Sequence, residues 1–168
     1  MTCYFLKKLG VKIEGIGTTE LTIHGVEEIN KRVRYAPGED PIESMAFISI
    51  AATTNSSITI RRCPIDFLGV ELFRLKKMGF RYEILDRYKA RNGHTNLVDI
   101  KTYKSDTLVA LEDKITALPY PGMNMDNLPF FVPVAARAKG RTLIHDWSYE
   151  NRAIYYTELN KLGAKVEL

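Results

Sequence analysis

Leu6-Lys-Lys-Leu-Gly-Val-Lys-Ile-Glu14 returns twice along this chain, as Leu75-Lys-Lys-Met-Gly-Phe-Arg-Tyr-Glu83 and as Leu159-Asn-Lys-Leu-Gly-Ala-Lys-Val-Glu167. Each copy places lysines just before a glycine and an alternating apolar/charged stretch just after it. Lysine near a helix C-terminus complements the helix dipole. Glycine at the next position takes the left-handed conformation that stops a helix. Alternation with a period of two is the pattern of a half-buried strand. Each copy therefore predicts a helix–glycine–strand joint, with the turns at Gly10, Gly79 and Gly163.

Working outward, the offset between Gly79 and Gly163 brings further segments into register. Ser57-Ile-Thr-Ile-Arg61 lies over Arg141-Thr-Leu-Ile-His145, a strand in both copies. The helix expected over Pro41–Ala52 lies near one expected over Asn127–Ala136. Leu128, Phe131, Val132, Ala135 and Ala136 form one apolar stripe at helical spacing, as do Leu68, Leu72 and Leu75, and Tyr155, Leu159 and Leu162. Pro133 requires that its helix start late or bend, because an interior proline removes a hydrogen bond. Further strands are expected at Glu20–His24, Asn96–Lys101 and Asp113–Ala117, and a polar flexible loop at Arg87–His94. The result is an α/β chain built of repeats (residues 1–30 ending one unit, 31–86 forming a second, 87–168 a third). The chain opens inside its first copy and closes after its last, and repeat units need neighbours to cover their apolar faces. A piece of a longer protein is therefore expected rather than a short capping unit, with exposed apolar surface that favours self-association.

With 45% hydrophobic and 26% charged residues, the 168-residue chain has the composition of a globular protein rather than a disordered one. No apolar run reaches the roughly 18–20 residues of a membrane-spanning helix, and the opening residues lack the pattern of a signal peptide. Two cysteines, Cys3 and Cys63, are too few for a disulfide framework, so a reducing, cytoplasmic setting is expected. The net charge of +4 comes without a dense basic run, which argues against a nucleic-acid partner and toward a few contacts with small anions. Neither a glycine-rich phosphate loop, nor metal-ligand spacing, nor a nucleophile elbow is present.

Two stretches carry candidate chemistry. In Leu118-Pro-Tyr-Pro-Gly-Met-Asn-Met-Asp-Asn-Leu-Pro129, prolines and a glycine set an irregular loop ending at Asp126 before a helix. That carboxylate either caps the helix or acts as general base toward a hydroxyl. In His145-Asp-Trp-Ser-Tyr-Glu-Asn-Arg152, a strand turns through Ser148, a candidate N-cap, into the last helix. Arg152 is either solvated or a two-pronged partner for phosphate or carboxylate. His145 and Asp146 are an unpromising acid–base pair, since neighbours on a strand face opposite ways. Cys3, in a helix, and Cys63, after a strand, are expected to be structural.

Taken together, Tyr120-Pro-Gly-Met-Asn-Met-Asp126, Tyr149-Glu-Asn-Arg152 and the following Glu158-Leu-x-x-Leu-Gly-Ala164 resemble the UDP-N-acetylglucosamine 1-carboxyvinyltransferases. Asp40-Pro-Ile-Glu-Ser-Met-Ala46 and Leu75 to Gly79 match the preceding unit, so the resemblance spans essentially the whole chain. It implies part of an inside-out α/β barrel of βαβαββ units, in a two-lobed enzyme whose substrates lie between the lobes. The implied reaction adds the 3-hydroxyl of UDP-N-acetylglucosamine to phosphoenolpyruvate and releases phosphate, as a step of peptidoglycan synthesis, with no metal or organic cofactor. On that resemblance Asp126 is the general base and contacts the sugar, the backbone at Ser148 binds the UDP-sugar, and Arg152 belongs to the charged cleft.

The departures mark a divergent branch. Met125-Asp-Asn-Leu128 stands where the family has Thr-Asp-Met-Gln, and Pro41 replaces the arginine of an Arg-Ile-Glu motif. The family's reactive-cysteine loop, phosphoenolpyruvate-binding lysine and late arginine have no counterpart, so the missing lobe is the expected partner and the chain alone is expected to be inactive. The alternatives are a non-catalytic nucleotide-sugar-binding or regulatory paralogue and, less well supported, an RNA terminal-phosphate cyclase relative.

Overall fold

The computed structural model describes all 168 residues. Helix α1 (Thr2–Leu9) ends at Gly10, whose φ of 109° lets its N–H reach back to the last turn, and β1 (Lys12–Glu14) follows, paired antiparallel with β2 (Thr22–His24). The second copy repeats this. Helix α3 (Gly69–Lys77) gives way at Gly79, with φ 94°, to β4 (Arg81–Lys89). These two joints form as the sequence predicts. In the third, Gly163 turns with φ 86°, but the helix before it is a 3₁₀ helix (Arg152–Leu162) and no strand follows. Its expected stripe finds no core, since Tyr155 is 74% and Leu162 83% exposed. The residues after Gly163 have no strand to pair with. Instead the Asn160 amide satisfies Val166, donating to its carbonyl at 3.0 Å and accepting its N–H at 2.9 Å.

Helix α2 (Pro41–Thr54) is marked at both ends by sequence. Asp40 accepts the Ile42 N–H at 2.8 Å, Pro41 occupies a position needing no donor, and Asn55 closes the helix in the left-handed region. Between α2 and α3 runs β3 (Thr59–Pro64), which includes Cys63 rather than ending before it. Strand β5 (Asn96–Tyr103) lies between β3 and β4 and is antiparallel to both. β3 and β4 are therefore parallel to each other, joined through α3, with β5 inserted between them. The residues expected as a loop at Arg87–His94 are partly the end of β4, and only Ala90–Thr95 turns. The expected unit boundary at 86/87 falls inside β4.

Two register shifts face each other across β5. Arg61-Arg62 on one side and Leu85-Asp86 on the other both lie opposite Asp99. Arg62 takes φ 64°, its N–H donates to Asp99 Oδ1 at 3.0 Å, and the Tyr88 hydroxyl donates to the same oxygen at 2.5 Å. A carboxylate in the middle strand thus takes up the Arg62 N–H at the bulge of β3 and the hydroxyl of Tyr88 from β4.

The last unit contains β6 (Ile115–Thr116), α4 (Phe131–Arg137) and β7 (Ile144–His145), with β6 parallel to β7 and α4 crossing between them. The helix expected over Asn127–Ala136 begins as a 3₁₀ turn at Leu128–Phe130 and becomes α-helical only at Phe131. Pro133 thereby falls in the first turn, where its missing N–H costs nothing. The late start rotates the stripe: Val134 is buried, while Ala135 is half-buried and Ala136 exposed. One core joins Met45, Ile48 and Ala51 of α2, Leu68, Leu72 and Leu75 around α3, Ile100, Ile115, Met123, Leu128 and Phe131. Ser49 of α2 donates to the Phe130 carbonyl at 2.7 Å, pinning α2 to the entry of α4. No helix is long and apolar enough to cross a membrane.

Candidate functional site

The parallel pairing of β6 and β7 places both candidate stretches at one end of the sheet. The loop carrying Asp126 leaves the C-terminal end of β6, and the loop carrying Ser148 and Arg152 leaves the C-terminal end of β7. Ligands of parallel α/β sheets bind at such ends. Two bonds tie the strand ends together: Thr116 Oγ1 donates to the His145 carbonyl at 3.0 Å, and Trp147 Nε1 donates to the Ala117 carbonyl at 3.0 Å. Residues far apart in sequence are thus brought side by side.

The first loop is shaped by its own turn and by a buried carboxylate beneath it. The Gly122 N–H donates to the Pro119 carbonyl at 2.8 Å, and a Cβ at Gly122 would run into Leu118. Glu71, 2% exposed on α3, accepts the Asn124 N–H at 3.3 Å and the Asn127 side-chain amide at 2.8 Å. Asp126 lies between these two anchored residues. Its N–H donates to Asn124 Oδ1 at 2.9 Å, and its Oδ1 accepts the Tyr149 hydroxyl at 3.2 Å. It does not cap the following turn, which starts behind Asn127 without a side-chain cap. The capping role that the sequence left open is therefore not taken, and Oδ2 accepts no hydrogen bond from the protein. Asn124 and Met125 also line a cavity of about 430 Å³ with Phe67, Leu118 and Tyr120.

Arg152 is not a solvated arm. Its Nε donates to Asp146 Oδ2 at 2.5 Å and its Nη2 to Asp146 Oδ1 at 2.8 Å, a two-pronged pair in which the Asp146 side chain is fully buried. Nη2 also donates to the Met125 carbonyl at 3.0 Å, and the guanidinium lies 4.4 Å from the centre of the Tyr149 ring. Nη1 makes no protein hydrogen bond, which leaves its two N–H groups for an anion. Burial alone would raise the Asp146 carboxyl, but hydrogen bonds from Arg152 and Tyr156, with the Arg152 charge, hold it below its ordinary value. Tyr156, which donates to Asp146, is pushed well up by burial and by that carboxylate.

Ser148 is not the N-cap of the last helix. That helix starts at Arg152 behind Asn151, which takes φ 59°, and the Ser148 hydroxyl is buried without a partner. His145 is exposed while Asp146 is committed to Arg152, so the two do not act as a pair. Cys63 is buried, and that burial pushes its thiol up to about 11, which suits a structural residue.

The structure therefore brings Asp126 and Arg152 together, through Tyr149 and Met125, and gives Ser148 a buried hydroxyl with no side-chain link to either. Sequence reasoning missed Glu71, although a signal was there. Glu71 stands between Leu68 and Leu72 in an otherwise apolar stripe, a position where a charge must have buried partners. Asp146 gave no such signal, because its partner Arg152 stands at the start of the next helix, across a loop whose path the residues do not prescribe.

Known proteins resemble this chain along essentially its whole length. The family model described as EPSP synthase (3-phosphoshikimate 1-carboxyvinyltransferase) matches residues 1–168. The UDP-N-acetylglucosamine 1-carboxyvinyltransferase of Sulfurovum sp. (strain NBC37-1) is 34% identical over 169 residues, covering 99% of this chain and 36% of that protein. The protein of the same name from Bacteroides thetaiotaomicron is 32% identical over 168 residues, covering 99% and 37%. This chain thus spans little more than a third of the relatives it matches. Among solved structures, an EPSP synthase from Acinetobacter baumannii superposes with a TM-score of 0.64 at 19% identity, over 95% of this chain and 36% of that one. A second structure of that enzyme gives 0.56 at 20% identity, over 85% and 31%. At such identities the likeness concerns the fold.

Proposed function

The chain belongs to the EPSP synthase (3-phosphoshikimate 1-carboxyvinyltransferase) family, and from that premise we propose that the protein it is part of transfers an enolpyruvyl group from phosphoenolpyruvate to the 3-hydroxyl of UDP-N-acetylglucosamine. The acceptor is chosen on the relatives that match nearly the whole chain at 32–34% identity, which carry that sugar nucleotide in their names. The sugar oxygen gives up its proton and bonds to the enol carbon while the methylene carbon of phosphoenolpyruvate takes up a proton to become a methyl group; phosphate then departs as that methyl group loses a proton and the double bond re-forms. In this reading the protein works in the cytoplasm and supplies a peptidoglycan precursor.

The observation that carries the reading is the state of Asp126. Its loop is anchored on both sides, one carboxylate oxygen is held by Tyr149, and the other has no protein partner. That is the arrangement of a general base waiting for a hydroxyl. Ser148 would contribute backbone to the sugar nucleotide, and Arg152 would offer its unused Nη1 to an anionic group.

The test is phosphate release by the full-length protein given phosphoenolpyruvate and UDP-N-acetylglucosamine. An Asp126→Asn variant is expected to lose about 10²–10⁴-fold in turnover, and normal turnover would remove Asp126 as base. The isolated 168-residue chain is expected to release none, because such catalysis needs groups preorganised around the whole substrate. The departure at Met125-Asp-Asn-Leu128 favours a second reading, a non-catalytic nucleotide-sugar-binding or regulatory paralogue. Binding of UDP-N-acetylglucosamine by the full-length protein without turnover would select it.

A further inference from the structure

Tyr149 is the one side chain that touches both the Asp126 carboxylate and the Arg152 guanidinium. Its hydroxyl donates to Asp126 Oδ1 at 3.2 Å, and its ring lies 4.4 Å from the Arg152 guanidinium. Tyr149 is 48% exposed, so packing alone does not fix its ring. What fixes it is the cation beside it. Arg152 is held by two bonds to the buried Asp146 carboxylate and by a third to the Met125 carbonyl, the residue before Asp126. Asp146 is held in turn by Tyr156. A rigid base thus supports an otherwise mobile aromatic side chain, and that side chain ends on the carboxylate proposed to take the sugar proton.

We propose that Tyr149 is a positioning residue for Asp126, resting on the reading of Asp126 as general base. An aspartate in a half-exposed loop rotates about its side-chain bonds, and each productive collision must find one oxygen aimed at the hydroxyl. With Oδ1 occupied by the Tyr149 hydroxyl, that rotation is restricted and Oδ2 remains to accept the proton. The Arg152 stack serves the same end, because a cation over the ring face resists the ring's swinging away. The Tyr149 hydroxyl is spent on Asp126 Oδ1, so the proposal gives it no contact with the sugar or phosphoenolpyruvate. Its effect belongs to turnover and not to substrate affinity.

The test uses the full-length protein and the conservative Tyr149→Phe substitution, which keeps the ring over Arg152 and removes only the hydroxyl. Turnover is expected to fall about tenfold, the size of losing one hydrogen bond to a charged group. The KM for UDP-N-acetylglucosamine should stay within about twofold and the thermal midpoint should be unchanged. Unchanged kcat overturns the proposal, and so does a raised KM at constant kcat, which would make Tyr149 a substrate contact. Failure of the underlying reading looks different: there the wild-type protein releases no phosphate, or Asp126→Asn turns over normally. With wild type active, Asp126→Asn inactive and Tyr149→Phe indistinguishable from wild type, only the role of Tyr149 falls.

Discussion

At the scale of single residues, the Asp146–Arg152 pair concentrates the most energy in the fewest atoms. The Asp146 side chain is fully buried and takes three side-chain donor bonds, two from Arg152 and one from Tyr156. Removing one side of such a pair leaves the other charge uncompensated, which costs about 3–5 kcal/mol when both are buried. Arg152 keeps 18% of its side chain exposed, so the low end applies. Asp146→Asn is expected to lower unfolding stability by about 3 kcal/mol in urea titrations. A loss under about 0.5 kcal/mol would mean that the loop closes without the pair. The same pair sets an acid limit. Because the folded-state value of Asp146 is depressed, its stabilisation is fully present above the ordinary carboxylate value of about 3.9. It is lost as pH falls through the lower folded value. Wild type should therefore lose stability relative to Asp146→Asn below about pH 4, and parallel acid titrations of the two proteins would show whether it does.

At the scale of elements, α3 does two jobs. Leu68, at its start, with Leu72 and Leu75 completes the core, and Glu71 between them holds the turn that carries Asp126. A Glu71→Ala substitution strands the Asn127 amide, which is buried, and the Asn124 N–H. An unsatisfied buried donor costs about 1–3 kcal/mol, so a loss of roughly 2 kcal/mol or more is expected, with faster hydrogen exchange at the Asn124 amide. Unchanged exchange there would show that the turn holds itself. The sequence predicted the helix and its apolar stripe without seeing the second job. Periodicity reports which face of an element is buried, and a charge on that face reports only that a partner exists. The third helix–glycine–strand copy teaches the converse. Its pattern matches the first two closely, yet it forms a 3₁₀ helix and no strand, because the stripe at Tyr155 and Leu162 has nothing to pack against. Tertiary packing supplies most of a helix's stability, and without it propensity is a weak guide.

At the scale of the whole molecule, the same 3₁₀ helix presents Ile154, Tyr155 and Leu162 at 52%, 74% and 83% exposure, with Leu143 and Trp147 also exposed on neighbouring segments. Apolar side chains grouped in this way favour association. The 168-residue chain is expected to sediment as a concentration-dependent mixture, and Tyr155→Ser with Leu162→Ser to shift it toward monomer. A strictly monomeric wild type at all concentrations would contradict this.

What the sequence determined by itself is local. The lysine–glycine turns at Gly10 and Gly79, the Asp40-Pro41 start and Asn55 end of α2, and the stripe of α3 each rest on residues within a few positions of one another, where backbone sterics and capping decide the outcome. The two functional loops were also legible as stretches of unusual chemistry. Only the tertiary structure decided that they meet. The parallel pairing of β6 with β7 sets Asp126 beside Tyr149, Arg152 turns inward to the buried Asp146, and Glu71 reaches up from another helix. Those contacts join residues up to 56 positions apart. Each becomes favourable only once the core has fixed both ends, because the entropy of closing long loops must be met before any single hydrogen bond contributes.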